Sequence, residues 1–345
     1  MNKIMIVAGR TNASLAEAIS DALEVSETPL ALTKRTIKDF ANGEIDVEIE
    51  ETVAGAEIFL IQTSLTGQPN DNFMETLFMI DALKRARAKD VFLVQPIFPY
   101  ERQDRRETNK KGRPKRKSVT ARVIADCLMA VNLDGIISVE LHSEQIEGFF
   151  NNRCIVENID PTILFKTYLE NEGIIVKNNS NSVSKKGVAP DAGAVGRVRD
   201  FSNMLGLNSY VIIDKNRTAP GENEVINVIG DCSDCDCFMY DDIVDTGGTA
   251  VKAAEALKNA GAKDIYLLSP HPVLSKTAVE RLLNSPFKKI IVTDSIPNSE
   301  ILKYPEKFVV LPLAELLANV ITNIHNSESL QPIVNGMNRM VTKVN

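Results

Sequence analysis

Short apolar runs alternate with longer amphipathic segments along most of the chain. The first run, at residues 4–8, is Ile-Met-Ile-Val-Ala, and similar runs lie at 58–61, 91–95, 136–139, 210–213, 238–240, 265–268, 290–292 and 309–311. Runs this short and uniformly apolar are typical of strands that are buried on both faces. Helical spacing of apolar residues follows at 14–25, 73–88, 120–131, 197–205 and 250–260. The alternation predicts an α/β fold with mostly parallel sheets flanked by helices.

The length of 345 residues favours two domains, since single domains usually hold about 100–150 residues. We place the predicted boundary so that residues 1–152 form an N-terminal domain and residues 153–345 a C-terminal domain. A polar stretch within residues 173–187 has little to bury, and we interpret it as a surface insertion in the second domain. At the start of the chain, Asn12 or Ser14 can cap the first helix.

Composition and charge restrict the class of protein. The net charge of −7 disfavours a general nucleic-acid or anionic-membrane binder, and no apolar run approaches the roughly 20 residues of a membrane span. We therefore expect a cytoplasmic protein with no membrane and no nucleic-acid partner. The chain contains no Gly-Lys dipeptide, which excludes a Walker-type phosphate loop.

The cysteines indicate reduced thiols rather than a disulfide framework. There are five, at Cys127, Cys154, Cys232, Cys235 and Cys237. The Cys232-x-x-Cys235 spacing could hold zinc, but no second pair or nearby histidine completes four ligands, so an incidental turn is the better interpretation. Because these thiols lie close together in sequence, their reactivity toward oxidants stays an open question.

Residues 241–249 read Asp-Asp-Ile-Val-Asp-Thr-Gly-Gly-Thr and lie between an apolar run and a helical pattern. The backbone N–H groups and hydroxyls that suit a phosphate at a helix N-terminus belong to Thr246, Gly247, Gly248 and Thr249. The carboxylates, which suit sugar hydroxyls or a metal ion, belong to Asp241, Asp242 and Asp245. A tight strand-to-helix turn would explain the glycines alone, but the combination predicts a site for a phosphorylated polyol.

Four further segments place polar residues at turns or strand ends. They contain, in order, Phe40, Asn42 and Glu44; Arg102, Gln103 and Asp104; His142; and Asp191 followed by Lys215 and Arg217. Together with residues 241–249, these segments resemble the ribose-phosphate diphosphokinase, or phosphoribosyl-diphosphate synthetase, family. The resemblance runs through nearly the whole chain. It implies two domains of the type I phosphoribosyltransferase fold, with ATP-binding elements in residues 1–152 and a ribose 5-phosphate loop in residues 153–345.

The reaction that the resemblance implies is transfer of a diphosphoryl group from ATP to the C1 hydroxyl of ribose 5-phosphate. The products are 5-phosphoribosyl 1-diphosphate and AMP, for nucleotide biosynthesis. Positioning and charge neutralisation carry such a transfer, so cations and metal-binding carboxylates are needed more than a covalent nucleophile.

The resemblance also implies a role for each segment. An aromatic ring suits an adenine face and an arginine fork suits phosphates, and the implied ATP-binding residues are Phe40, Asn42, Glu44, Arg102, Gln103, Asp104 and His142. The implied ribose 5-phosphate ligands are Asp241, Asp242, Asp245, Thr246, Gly247, Gly248 and Thr249. Mg²⁺ is the implied cofactor, held by His142 and Asp191, while Lys215 and Arg217 stabilise the transition state.

Several alternatives stay open. A noncatalytic associated subunit or a simple phosphoribosyltransferase would share parts of the pattern, and a nucleic-acid-binding regulator is disfavoured by the charge. The basic loop at residues 110–117 is equally well interpreted as a solvated loop or as a regulatory site, and Ser118 stands where the family often has proline. Glu140 replaces an aspartate of the family pattern and Asn216 an arginine. The resemblance further implies a homo-oligomer, a hexamer or another assembly of dimers, with ATP sites shared between subunits.

Overall fold

The structure, a computed structural model, describes residues 3–23, 30–109, 112–176, 183–207, 209–216 and 225–334. The strands are β1 Ile4–Ala8, β2 Arg35–Asp39, β3 Ile45–Ile49, β4 Glu57–Ile61, β5 Asp90–Val94, β6 Gly135–Val139, β7 Ile155–Ile159, β8 Lys185–Ala189, β9 Tyr210–Asn216, β10 Val225–Ile229, β11 Asp236–Tyr240, β12 Ile243–Val244, β13 Ile265–Ser269, β14 His271–Pro272, β15 Lys289–Thr293 and β16 Phe308–Leu311. The helices are α1 Ala13–Ala22, α2 Pro69–Arg85, α3 Thr120–Ala130, α4 Thr162–Asn171, α5 Val195–Leu205, α6 Gly248–Asn259, α7 Ala278–Leu283, α8 Ala314–Asn326 and α9 Gln331–Val334.

The chain forms two compact units. The first contains Met1–Asp160, Ser295–Pro297 and Pro312–Asn345, and the second contains Pro161–Asp294 and Asn298–Leu311. The sequence-based division assigned every residue after 152 to the second domain. In the structure α8 instead packs against α1 of the first unit, where His325 Nδ1 of α8 lies 2.6 Å from Glu57 Oε2 of β4.

The first unit is built on a parallel sheet of strand order β1-β4-β5-β6-β7. Strands β1, β4 and β6 are buried along their whole length, as their mostly apolar sequences predict. Residues of α2 and α3 pack with alternate strand residues such as Val7 and Leu60 in one apolar core. A separate hairpin, β2 with β3, alternates between half-buried and exposed residues in β3, as expected for a strand with one solvated face.

The second unit is built on a sheet of strand order β10-β9-β8-β11-β13-β15-β16. Its strands are parallel except β10, which pairs antiparallel with β9 at the edge. One apolar core contains residues of α6 and α7, and another contains residues of α4 and α5 with Phe238 and Tyr240. The predicted α/β fold with mostly parallel sheets flanked by helices is therefore confirmed.

Three local features differ from the sequence-based expectations or lie outside the described residues. Asn12 makes no capping bond to α1 but donates from Nδ2 to Thr63 Oγ1 at 3.3 Å. The polar stretch interpreted as a surface insertion, residues 177–182, lies outside the described residues, while β8 begins at Lys185 and lies between β9 and β11. Strand β7 was overlooked because only part of its sequence is apolar.

The cysteines are free, as expected, with Cys127 partly exposed and the other four buried. In the part of the chain that the structure describes, every helix is too short or too polar to cross a lipid bilayer.

Candidate active site

The second unit has a point where the order of its strands reverses. From β8 the chain passes through α5 to β9 on one side, and later strands add on the other side of β8, beginning with β11. The loops that leave the carboxyl ends of β8 and β11 therefore diverge, and such a crevice is where open α/β sheets bind ligands. Asp191 follows β8 and Asp241 follows β11, so the strand order alone brings these two segments together.

The loop after β11 leads directly into α6. Gly247 is the N-cap of this helix and adopts φ of 69°, a conformation that favours glycine. A Cβ at this position would lie 3.2 Å from Leu282 Cγ of α7, so the turn also requires a small residue. The first N–H groups of an α-helix have no partner within the helix, and such groups bind anions at helix N-termini.

Neighbouring side chains hold this loop in place. Ser275 Oγ donates a hydrogen bond to Asp245 Oδ1, and Arg281 Nη1 of α7 donates to the carbonyl oxygen of Thr246. Residues 243–244 also pair with residues 271–272 as β12 and β14. The loop is thus fixed by bonds from outside its own sequence.

The paired aspartates have different surroundings. Asp242 is buried and receives a hydrogen bond from Arg197 Nη1 of α5, 3.1 Å from Oδ1. The pKa of Asp241 is raised well above its ordinary value, chiefly because burial disfavours the charged form, and also because Asp242 and Asp191 add negative charge. Arg197 opposes this rise. The pair therefore combines an ion-paired carboxylate with one that holds its proton more readily.

Asp191 caps the turn after β8. Its Oδ1 accepts hydrogen bonds from the N–H groups of Gly193, at 2.9 Å, and Ala194, at 3.1 Å. Within the described ranges, no group of three His, Cys, Asp or Glu side chains could hold a metal ion by itself. One or two carboxylates, such as that of Asp191, are enough for a cation such as Mg²⁺, which usually completes its shell with water and substrate phosphates.

Only one of the two predicted catalytic cations lies within the described residues. Lys215 belongs to β9, and its backbone pairs with Ile226 of β10, while Arg217 lies outside the described residues.

In the first unit, the predicted adenine-binding segment forms the turn of the β2–β3 hairpin. The N–H of Phe40 donates to the carbonyl of Glu44 and that of Gly43 to the carbonyl of Phe40, both at 2.8 Å. Asn42 Nδ2 donates to Glu44 Oε2 at 2.9 Å. The ring of Phe40 is 54% exposed, which leaves its face available to a flat partner.

The structure brings the other predicted ATP-binding residues of this unit together. Arg102 and Gln103 belong to a 3-10 turn, Glu101–Gln103, and Gln103 Oε1 accepts a hydrogen bond from Thr120 at 2.8 Å. Glu101 Oε2 accepts a hydrogen bond from the N–H of His142, at 3.3 Å. A second bond joins the same two segments, because Gln145 Nε2, three residues after His142, donates to the carboxylate of Asp104. His142 belongs to the first unit and Asp191 to the second, so the two predicted metal ligands lie in different units.

The basic loop contains an ion-paired turn. Lys115 and Lys117 both bind Glu107, with Lys117 Nζ at 2.6 Å, and these bonds lower the pKa of Glu107 to about 2. Thr108 and Pro114 form an isolated antiparallel bridge, and Lys110 and Lys111 lie outside the described residues. Part of the positive charge of the loop is therefore neutralised internally.

Three arginines beside these segments were not predicted. They are Arg197, which binds Asp242; Arg281, which binds the loop after β11; and Arg10, which lies beside the hairpin turn. Arg197 lies six positions after the predicted site residue Asp191, so its closeness in sequence could have indicated it. Arg10 and Arg281 are distant in sequence from the residues that they bind, so no local pattern marks them.

The chain is similar to known proteins over nearly its whole length. Residues 4–131 match the family model described as the N-terminal domain of ribose phosphate pyrophosphokinase, and residues 197–334 match that of the phosphoribosyl synthetase-associated domain. The ribose-phosphate pyrophosphokinase of Haemophilus influenzae is 40% identical over 97% of this chain and 100% of its own. That of Haemophilus ducreyi is 39% identical over 96% of this chain and 98% of its own.

A solved structure is similar over nearly the same length. The phosphoribosylpyrophosphate synthetase from Mycobacterium smegmatis superimposes with a TM-score of 0.83 and 34% identity, covering 94% of this chain and all of that one. The fold and the loop after β11 define a phosphoribosyltransferase-like α/β protein. More narrowly, this chain belongs to the ribose-phosphate pyrophosphokinase family.

Proposed function

We propose that this chain catalyses diphosphoryl transfer from ATP to the C1 hydroxyl of ribose 5-phosphate, giving 5-phosphoribosyl 1-diphosphate and AMP. The observation that carries the proposal is the loop after β11, where paired aspartates and a glycine-capped helix N-terminus meet at the strand-order reversal. Family membership supports the same reaction. A diphosphotransferase of this kind feeds nucleotide biosynthesis.

In this proposal ribose 5-phosphate lies at the second unit. Its phosphate accepts hydrogen bonds from the N–H groups and hydroxyls of Thr246, Gly247, Gly248 and Thr249. Its ring hydroxyls face the carboxylates of Asp241, Asp242 and Asp245, and the bond from Arg197 orients Asp242. Lys215 and Arg217 stabilise the negative charge that develops during the transfer.

ATP binds residues of the first unit in this proposal. Phe40 stacks on the adenine while Asn42 and Glu44 bind its edge, and the exposed ring of Phe40 suits that role. The phosphates and the remaining nucleotide contacts fall to Arg102, Gln103, Asp104 and His142. Arginine is suited to phosphate because its guanidinium fork binds two oxygens at once.

Mg²⁺ is the proposed cofactor, with Asp191 and His142 as protein ligands. When bound with ATP, it would polarise the transferring group and offset its charge. We also propose a homo-oligomer, a hexamer or another assembly of dimers, and a cytoplasmic location. The five free cysteines support a reducing compartment.

The test is an assay of the purified protein with Mg²⁺, ATP and ribose 5-phosphate, in which AMP and 5-phosphoribosyl 1-diphosphate are followed together. Equimolar appearance of both products is the expected result. Inorganic phosphate is included as a possible activator, and omission of ribose 5-phosphate controls for ATP hydrolysis.

Failure to form either product by a folded protein would contradict the proposal and favour a noncatalytic subunit. Base-dependent consumption of 5-phosphoribosyl 1-diphosphate without ATP would instead identify a phosphoribosyltransferase. Size-exclusion chromatography with light scattering tests the oligomer.

A further inference from the structure

Arg10 is anchored at one side by a buried carboxylate. It follows β1, and its Nε donates to Glu75 Oε2 of α2 at 2.7 Å while its backbone N–H donates to Glu75 Oε1 at 2.8 Å. The Glu75 side chain is 1% exposed and also accepts a hydrogen bond from Gln62 Nε2 at 2.9 Å. Gly9 permits this arrangement, because a Cβ there would lie 2.4 Å from the Gln62 amide.

The other side of the same guanidinium holds the hairpin. Arg10 Nη1 and Nη2 donate to Asp39 Oδ2 and Oδ1 at 2.6 and 2.8 Å, which is a two-bond fork. Asp39 is the last residue of β2 and directly precedes Phe40. The guanidinium lowers the pKa of Asp39, chiefly through this hydrogen bond. We call the Asp39–Arg10–Glu75 set the Arg10 bridge.

The bridge borders an open space rather than a packed one. A cavity of about 580 Å³ is lined by Arg10, Asp39 and Glu75, by Gly43 and Ile45 of the hairpin, and by residues at the start of α2 such as Asp71. Apolar packing cannot fix the turn end of the hairpin across a cavity, because groups that do not touch gain no dispersion energy. The polar bridge spans this gap and orients the residues that follow Asp39.

We propose that Arg10 is a positioning residue that holds the Phe40–Glu44 turn in its nucleotide-binding orientation without itself contacting the nucleotide. The inference rests on the proposed function, which places the adenine of ATP at this turn. A turn that is fixed before binding loses less conformational freedom when ATP binds, so the bridge raises the affinity for ATP through pre-organisation. The bridge should not change the affinity for ribose 5-phosphate.

The test substitutes Asp39→Asn, which weakens the outer half of the bridge and leaves the buried Arg10–Glu75 pair intact. Asp46→Asn, in β3 of the same hairpin, is the matched control because it removes an equal charge from an exposed residue. Asp39→Glu is the conservative variant. Hydrogen exchange of the amides of Phe40 and Gly43 reports the turn, and KM values for ATP and ribose 5-phosphate report its use.

The expected result for Asp39→Asn is faster exchange of both amides and a KM for ATP raised about 3-fold to 10-fold. The turnover number and the KM for ribose 5-phosphate should stay within about 2-fold, since the bridge acts only on nucleotide binding. Asp39→Glu should recover most of the ATP affinity. Asp46→Asn should leave all of these quantities as in the unaltered protein.

Exchange and KM values that do not differ between Asp39→Asn and Asp46→Asn would overturn the inference. Faster exchange with an unchanged KM for ATP would also overturn it, since the turn would then not bind the nucleotide. If the unaltered protein makes no product, the proposed function fails. Two measurements then decide this inference separately, namely hydrogen exchange of the turn amides and calorimetry of ATP binding. Weaker ATP binding in Asp39→Asn supports the inference and equal binding overturns it.

Discussion

The carboxyl edges of the two parallel sheets are built in different ways. In the second unit the strand order reverses between β8 and β11, and one continuous segment supplies aspartates, a turn and a helix N-terminus. In the first unit the strands follow one another in a single direction, and the Arg10 bridge lies after β1, with members from β2, α2 and the loop after β1. The second unit takes its groups mainly from one continuous segment, and the first takes them from side chains that are distant in sequence. Substitutions should therefore affect the two edges differently.

The largest effect is expected from Lys215→Ala in the second unit. Loss of the cation proposed to stabilise the transition state should lower turnover on the order of 10²-fold to 10³-fold. Binding of ribose 5-phosphate should change little, because the proposed site for its phosphate is the loop after β11. Steady-state kinetics with calorimetry of ribose 5-phosphate binding measures both, and Lys303→Ala, an exposed lysine of the same unit, is the control. Unaltered turnover would remove Lys215 from the catalytic assignment.

The edge of the first unit should be sensitive to loss of its buried carboxylate. Glu75→Ala removes the acceptor of three hydrogen bonds, from the Arg10 N–H, Arg10 Nε and Gln62. Arg10 is partly exposed and keeps its bonds to Asp39, so the cost comes mainly from the lost hydrogen bonds and should lower the free energy of unfolding by about 2 kcal/mol. Denaturant unfolding measures it. Asp81→Ala on the same helix, which breaks the exposed pair with Arg85, should cost less than about 0.5 kcal/mol. An equal loss of unfolding free energy in Glu75→Ala and Asp81→Ala would contradict the special role of the buried carboxylate.

A smaller effect on stability is expected where backbone geometry forms the edge. Gly247→Ala places a side chain at φ of 69°, which costs about 1–2 kcal/mol, and brings its Cβ toward Leu282. The KM for ribose 5-phosphate should rise, because the loop and the first turn of α6 shift together. Gly196→Ala, where a Cβ meets nothing within 4 Å, should change stability by less than about 1 kcal/mol. An unchanged KM in Gly247→Ala would show that the loop tolerates a side chain.

The smallest expected effect is on the chemistry of the buried thiols, and it should be the same in both units. Burial raises the pKa of Cys154 in the first unit and of Cys237 in the second from 9.0 to about 12. Because the unfolded thiols lose their protons first, this contribution to stability is complete below pH 9 and is lost as pH rises from 9 toward 12. Titration with a thiol reagent at pH 8 should modify only Cys127 rapidly. Rapid reaction of a second thiol would contradict the burial of the other four.

The same contrast explains how much could be predicted from the sequence. The buried strands and the residues of the loop after β11 are visible because each is a continuous segment with a regular pattern. The Arg10 bridge is not visible, since its members are 29 and 65 positions from Arg10 and each looks like an ordinary surface charge. Strand β8 was overlooked because its Lys-Lys-Gly start is polar, although tertiary pairing places it inside the sheet.

The unit to which residues 314–326 belong could not be predicted for a related reason. A sequence pattern does not state which unit a segment packs against, so the residues of α8 were assigned by their place in the chain. The site residues other than those of the loop were selected by resemblance, and their roles in catalysis stay predictions until the variants are measured.

The position of α8 also has a consequence for synthesis on the ribosome. This helix follows every strand of the second unit, yet it packs on α1 and joins Glu57 across 268 positions of sequence. During synthesis, the face of α1 that α8 covers is therefore still exposed to water when the first unit emerges. It stays exposed until the second unit has been translated. Contacts of such sequence separation close slowly. Translation must thus finish the second unit before the first one can complete its core.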